Sequence, residues 1–289
     1  GALGPGRMLA THDPALFWRH FDARVGGIGG DTRRLRRFAS VTFDALQGSS
    51  CSSARLAAGQ ECDAPFPGLR SQPWWDAREF EWAEAVEAGA AVIGSELSRF
   101  EASAASAEDG LWTESVTSLC SDTAGFAKLA LREDGEDAEV GRACFGQTLD
   151  LLRRAKVPLS PRPVSVNRQG PRTGLPAHSD NINCILVCHV GVRVPTGCRF
   201  EMLGTSTEGG RAARGGKRAP PSSREWAPGK LCVADTSFVH RTRNDHASES
   251  RYVLHFSVWH PGLTPTEVHG ITAVHDALCA YEAELFSVS

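Results

Sequence analysis

The sequence contains no C-x-x-C pair, no apolar run of membrane-spanning length, no internal repeat and little net charge. Each absence closes off a class of protein. Without C-x-x-C spacing a structural zinc knuckle has no frame, because such sites take thiolate and imidazole donors at short fixed intervals. A membrane span needs about 20 consecutive apolar residues, and none occur together. A net charge of -3 over 289 residues supports neither a nucleic-acid binder nor a cationic membrane-surface protein. The two local basic runs, Arg33 to Arg37 and Arg211 to Arg218, read as solvated faces. The opening Gly-Ala-Leu-Gly-Pro-Gly-Arg is no signal peptide. Because the chain begins with Gly1, it is expected to be a fragment, a processed form, or one carrying residues left from cloning. Nine cysteines are an odd number, so at least one thiol is unpaired. They read as reduced, mostly buried thiols of an intracellular compartment, cytoplasm or organelle. A Cys51–Cys62 bridge stays open.

Hydrophobic residues make up 41% of the chain, enough for a substantial core. The first half reads helical. Asp13-Pro14 has the form of an N-cap followed by Pro at the first helical position, and Leu16, Phe17, Trp18 and Phe21 supply an apolar stripe. A second helix is expected over Asp31 to Leu46, with Leu35, Phe38, Val41, Phe43 and Leu46 inward. Residues 47–63 read as a loop. Trp75 to Phe100 reads as a long helical segment that opens on a capped turn at Asp76.

The second half changes character, as short apolar runs alternate with Gly, Pro and Asn. The expected strands are Pro163–Asn167, Asn183–Val194, Cys198–Leu203, Lys230–Asp235 and Arg251–Trp259, a spacing that suggests a sandwich or barrel. A helix over Val140 to Ala155 is expected to pack outside them. Thr205 to Ser223 reads as a polar, mobile hairpin insertion. Its basic stretch Gly209 to Lys217 reads as a solvated loop, with an acidic or phosphate-bearing substrate as the other reading.

His178-Ser179-Asp180 places an imidazole and a carboxylate at i and i+2. On a strand these point to one face and can share a metal ion, with His240 as the third ligand. Two histidines and a carboxylate leave open positions on Fe(II) for a cosubstrate and O2. Among ten histidines, a lone H-x-D is weak evidence, and a satisfied surface or core histidine explains it equally well. Arg251 strengthens the case. It opens the strand that follows His240, and its fork fits a carboxylate bidentately, such as the distal end of 2-oxoglutarate. A surface salt bridge is the other reading. His189 shares a strand face with Ile185 and Val187 and points into the barrel or bonds to backbone. Ser165 sits on the strand before the metal loop, where its hydroxyl could reach a carboxylate.

Five ordered stretches then resemble one family. Phe66-Pro-Gly-Leu-Arg-Ser-Gln-Pro-Trp-Trp75, Pro176-Ala-His-Ser-Asp-Asn-Ile-Asn183, Trp226-Ala-Pro-Gly-Lys230, Asp235-Thr-Ser-Phe-Val-His240 and Trp259-His-Pro-Gly-Leu-Thr-Pro265 are similar to motifs of the aspartyl/asparaginyl β-hydroxylase family, over about residues 65 to 265. The chain looks closer to its plant, algal and bacterial members.

The resemblance implies an α+β protein: a double-stranded β-helix, or jelly roll, with a helical N-terminal portion packed on it. The expected domains are a helical extension over 1–64, an oxygenase domain over 65–275 with its jelly-roll core at about 160–262, and a C-terminal tail over 276–289. It implies Fe(II), 2-oxoglutarate and O2, and hydroxylation of an unactivated C–H bond in a peptide, an amino acid or another small molecule, with the β-carbon of Asp or Asn in a peptide as one case. No nucleic acid is expected as a partner. By position, His178 and His240 become iron ligands, Arg251 and Ser165 hold the distal carboxylate, and His189 contacts the carboxylate near the metal. Asp180 stands where the animal enzymes have glycine, so a three-ligand set is expected. Val187 stands where they have a basic residue, and His255 where an aliphatic one is expected. His255 lines the substrate cavity or is a buried polar misfit. Asn181, Asn183 and Asp235 are candidates to orient the two histidines. The animal enzymes' disulfide pair is not clearly present. A cupin-like metal protein without 2-oxoglutarate, or a non-catalytic binding protein, remains the alternative.

Overall fold

The structure is a computed structural model that describes residues 13–48, 56–103, 111–114, 125–204 and 220–287. In chain order the helices are α1 (Pro14–Val25), α2 (Arg33–Leu46), α3 (Ala83–Ala88), α4 (Ala90–Glu101), α5 (Glu139–Cys144), α6 (Gly146–Arg154) and α7 (Pro265–Ser287). The strands are β1 (Trp74–Trp75), β2 (Trp112–Glu114), β3 (Phe126–Glu133), β4 (Glu136–Asp137), β5 (Val164–Gln169), β6 (Thr173–His178), β7 (Ile185–Arg193), β8 (Cys198–Met202), β9 (Ser222–Glu225), β10 (Leu231–Ala234), β11 (His240–Asn244) and β12 (Arg251–Trp259). No helix among the described residues is long and apolar enough to cross a membrane.

Two compact units result. The larger, the described residues of 56–62 and 71–260, is a jelly roll. Its major sheet runs β1-β10-β7-β12-β5-β3-β2, with β4 paired to β3, and its minor sheet runs β6-β11-β8-β9. Neighbouring strands in both sheets are antiparallel. From β5 onward the chain crosses between the sheets, visiting major, minor, major, minor twice, major, minor, major. Period-two alternation divides the side chains of β12 between two cores. Tyr252, Leu254, Phe256 and Val258 join the apolar layer under α3, α4 and α6, with Val86, Ile93, Leu97 and Leu149. Val253 joins Phe200, Met202 and Trp226 between the sheets. Each fully buried large apolar side chain here contributes about 1.5–3 kcal/mol.

Two expected helices are interrupted. Trp74–Trp75 pairs with β10, and the rest of the Trp75–Phe100 segment divides at Gly89. There a Cβ would lie 2.4 Å from Leu151 Cδ1, so any other residue would have to displace that side chain. The capping box at Asp76 and Glu79 is present. The Val140–Ala155 helix divides into α5 and α6 at Phe145, whose side chain is fully buried in the core. Of the expected Thr205–Ser223 insertion, 205–219 lies outside the described residues, and with it the Gly209–Lys217 stretch; Ser222 and Ser223 open β9. Cys51 also lies outside them, and with it the Cys51–Cys62 pairing.

The smaller unit holds α1, α2, residues 63–70 and the chain from 261. Asp13 caps α1, accepting from the N–H groups of Ala15 and Leu16 at 2.9 and 3.1 Å. Phe17 stacks on Phe43 at 4.4 Å, and Tyr281 meets Phe43 edge-on at 5.3 Å. In α2, Leu35, Ala39 and Phe43 are buried, but the expected Leu46 is exposed and Phe38 and Val41 half-buried, because the apolar stripe ends one turn early. The basic run is largely paired: Arg33 with Asp31, Arg34 with Glu267, Arg36 with Asp22. The expected tail is helix: α7 runs through residue 275, burying Val274, Ala277 and Tyr281 as a stripe at helical spacing.

Candidate metal centre and anion pocket

His178 ends β6 and His240 begins β11, and the two are direct cross-strand partners. Their ring centroids lie 4.3 Å apart. In each case Nδ1 lies 2.8 Å from a backbone carbonyl two residues upstream, Pro176 for His178 and Phe238 for His240. A carbonyl only accepts, so Nδ1 carries the proton and Nε2 keeps its lone pair for a ligand bond. These carbonyls take the orienting role expected of Asn181, Asn183 and Asp235. Asp235 instead accepts from the backbone N–H and hydroxyl of Ser237. Burial pushes its carboxyl up to about 7.

Asp180 lies past the end of β6, so the strand geometry that would put it on one face with His178 does not apply. Its position is set by a turn. The Asp180 N–H donates to Thr236 O at 2.8 Å. Ser179 Oγ sits 2.8 and 3.0 Å from the carbonyls of Glu61 and Ser237. Asn181 adopts φ 59°, a left-handed conformation that Asn tolerates better than most residues. The Asp180 carboxylate is used asymmetrically. Oδ2 accepts from Arg162 Nη1 at 2.9 Å and from Thr236 Oγ1 at 2.8 Å. Oδ1 faces His178 Nε2 at 4.0 Å. One ligand atom from each of His178, Asp180 and His240 lies within 4.8 Å of the others. Burial opposes the charge on Asp180, but Arg162, the two histidines and the Thr236 hydroxyl outweigh it and hold its pKa below the usual value. Burial and the neighbouring His178 bring His240 down to about 4, so it is neutral at physiological pH. A neutral imidazole at His240 and an ionised carboxylate at Asp180 are protonation states a divalent metal requires.

At the start of β12, Arg251 is only 1% exposed. Its guanidinium carbon lies 4.4 Å over the Trp226 ring. Nε and Nη1 are buried without a hydrogen-bond partner among the described residues. Burial lowers its pKa only to about 10, so it remains a cation at neutral pH. A buried, unpaired cation costs several kcal/mol, and a carboxylate fitted to its fork removes that cost. Trp226 is set there by the Trp-Ala-Pro-Gly turn, which lies against β7 because Gly191 has no side chain; a Cβ there would sit 2.3 Å from Ala227 O. Ser165 lies opposite His255 in the register, and Gln169 opposite Arg251. The Ser165 hydroxyl bonds to Asn167 Oδ1 at 2.7 Å.

His189 is on the inner face and buried. Both of its ring nitrogens already have partners: Trp226 Nε1 at 3.2 Å from Nδ1, and His255 Nδ1 at 2.9 Å from Nε2. His255 therefore belongs to the site, on the same inner face as Arg251. Arg162 and Thr236 went unnoticed in the sequence. Thr236 lies inside the quoted Asp235–His240 stretch, but Arg162, in Ser160-Pro-Arg-Pro163, carries no spacing signal because the fold alone brings it to Asp180.

Residues 87–261 match the family described as aspartyl/asparaginyl beta-hydroxylase. The mouse and human proteins named aspartyl/asparaginyl beta-hydroxylase are each 27% identical over 213 residues, 72% of this chain. That stretch is 26% of the mouse and 25% of the human protein, so the chain spans about a quarter of the length of these relatives. Among solved structures, a Pseudomonas putida prolyl-4-hydroxylase superposes with a TM-score of 0.34 at 13% identity, covering 78% of this chain and 100% of that one.

Proposed function

The chain belongs to the aspartyl/asparaginyl β-hydroxylase family, and on that footing we propose that it is an Fe(II)- and 2-oxoglutarate-dependent dioxygenase that hydroxylates an unactivated C–H bond. The observation that carries the reading is a pairing: a two-histidine, one-carboxylate set and, linked to it through the rings of Phe200 and Trp226, a buried guanidinium with two nitrogens unpartnered among the described residues. The first suits Fe(II); the second suits a carboxylate.

His178 and His240 would offer their Nε2 lone pairs and Asp180 its Oδ1. When bound, iron supplies oxidation of the C–H bond by O2, coupled to conversion of 2-oxoglutarate to succinate and CO2. The chain's own residues do the rest. Arg251 holds one carboxylate of the cosubstrate, with Ser165 assisting once its hydroxyl turns from Asn167. Trp226 covers the guanidinium and keeps water from it. Arg162 and Thr236 hold Asp180 so that Oδ1 faces the metal.

The substrate we propose is an Asp or Asn side chain in a peptide, hydroxylated at its β-carbon, as the names of the mouse and human relatives state for those proteins. The test is succinate formation from 2-oxoglutarate with Fe(II) and O2, with and without a panel of Asp- and Asn-containing peptides. Peptide-stimulated succinate and a 16 Da mass gain on the peptide support the reading. Metal binding without any 2-oxoglutarate consumption would favour a cupin-like metal protein instead.

A further inference from the structure

Three rings form a chain of hydrogen bonds beside Arg251. Trp226 Nε1 lies 3.2 Å from His189 Nδ1, and His189 Nε2 lies 2.9 Å from His255 Nδ1. Their proton positions follow from chemistry alone. An indole N–H can only donate, so His189 Nδ1 must accept. A neutral imidazole that accepts at one nitrogen carries its proton on the other, so His189 donates through Nε2. His255 Nδ1 must then accept, and its own proton sits on Nε2. No residue among those described takes that proton.

Cationic forms would place an N–H against the donor before it in the chain. They are also opposed by burial and by the neighbouring Arg251. The surroundings of His255 include Lys128, Arg162 and Arg251 against the single charge of Asp180. An acceptor of negative charge is therefore the complementary ligand.

We infer that His255, rather than His189, presents the cavity's neutral N–H donor to 2-oxoglutarate, at the end of the dicarboxylate not held by Arg251, and that Trp226 and His189 act as positioning residues that fix its tautomer. The family resemblance cast His189 in this role. His189 has no nitrogen left for it, and Val187, two positions earlier on the same inner face, brings no charge. The inference rests on the proposed cosubstrate for the ligand's identity, but the tautomer relay stands on the protein's own groups.

The two parts are separable by experiment. In the metal-free protein, labelled with 15N at histidine, long-range nitrogen–proton correlations report the tautomer of each ring. His189→Phe and His255→Phe identify the two signals. Both rings are expected as Nε2–H, and Trp226→Phe is expected to release His189 from that state. A His255 ring protonated at Nδ1 in the wild-type chain overturns the relay.

The second measurement is anaerobic 2-oxoglutarate binding to the Mn(II)-loaded protein by calorimetry. His255→Phe, which keeps a ring but removes the donor, is expected to weaken binding about tenfold. His255→Gln, whose amide can donate, is expected to recover most of it. Unchanged affinity in a folded His255→Phe protein overturns the assignment to 2-oxoglutarate. If the wild-type chain binds Mn(II) but no 2-oxoglutarate at all, the proposed function fails, and that result is distinct because the tautomers are read without metal or ligand.

Discussion

Arg162 and Asp180 meet at 2.9 Å, and the contact uses only one of the two carboxylate oxygens. With Thr236 on the same oxygen, the other is left turned toward the histidine pair. The residue that most distinguishes this site from a two-histidine one is thus held in place by an arginine 18 positions earlier in the sequence.

Metal affinity should follow that contact. Asp180→Gly is expected to lower Fe(II) affinity without requiring loss of all turnover. Arg162→Gln is expected to lower it by about tenfold, at the low end for groups that orient a ligand, because the arginine is 38% exposed and partly screened. In the Asp180→Gly background the Arg162 substitution should have no effect. Anaerobic titration of the four proteins measures this coupling, and additive losses would show that Arg162 acts elsewhere.

Arg251 should trade stability against binding. Without an anion its charge is buried and unpaired among the described residues, so Arg251→Met is expected to leave the ligand-free protein as stable as the wild type or more so. The same substitution should raise the KM for 2-oxoglutarate at least tenfold. Thermal unfolding with and without 2-oxoglutarate tests the stability and the binding, and steady-state succinate formation measures the KM. The wild-type Tm should rise with ligand and that of Arg251→Met should not. A large drop in the Tm of the ligand-free variant would mean the cation already has a partner.

Stability should fall in acid, in part through His255. Burial first, and then nearby cations, bring its pKa down to about 3, and His189 and His240 are lowered too. Between about pH 6.5 and 3 the unfolded chain binds a proton at this residue that the folded chain refuses. Its contribution is therefore present above pH 6.5 and lost as pH falls, at about 1.4 kcal/mol per pH unit. Asp235, pushed up to about 7, works in the opposite sense above the usual carboxylate range. Urea unfolding between pH 4 and 6 should show a slope about 1.4 kcal/mol per unit shallower for His255→Gln than for the wild type. Equal slopes would show that His255 is not held neutral.

Much of this was legible before any coordinates. The strand Arg251–Trp259 falls where its alternation places it, and the five short apolar runs all become strands. The polar strands β6 and β11 were missed, because Thr173–His178 and His240–Asn244 carry no apolar alternation; they form by pairing with each other and with β8. That pairing is what sets His178 opposite His240. Ligand candidates could be read from residue type and order, but their supports could not. Arg162 reaches Asp180 only through tertiary proximity, which leaves no mark on spacing, and the carbonyls of Pro176 and Phe238 are backbone groups two residues before their histidines, which residue type does not reveal. His255 stood out in the sequence only as a misfit, and its role depends on the register that brings it beside His189.

The most direct test of the whole account is succinate formation from 2-oxoglutarate by the purified chain under air, with Fe(II) added, beside His240→Ala. The account predicts iron-dependent succinate from the wild type and its loss in the variant, which lacks one of the two imidazoles of the metal set. Equal succinate from His240→Ala, or none from a wild-type chain shown to bind Fe(II), would contradict it.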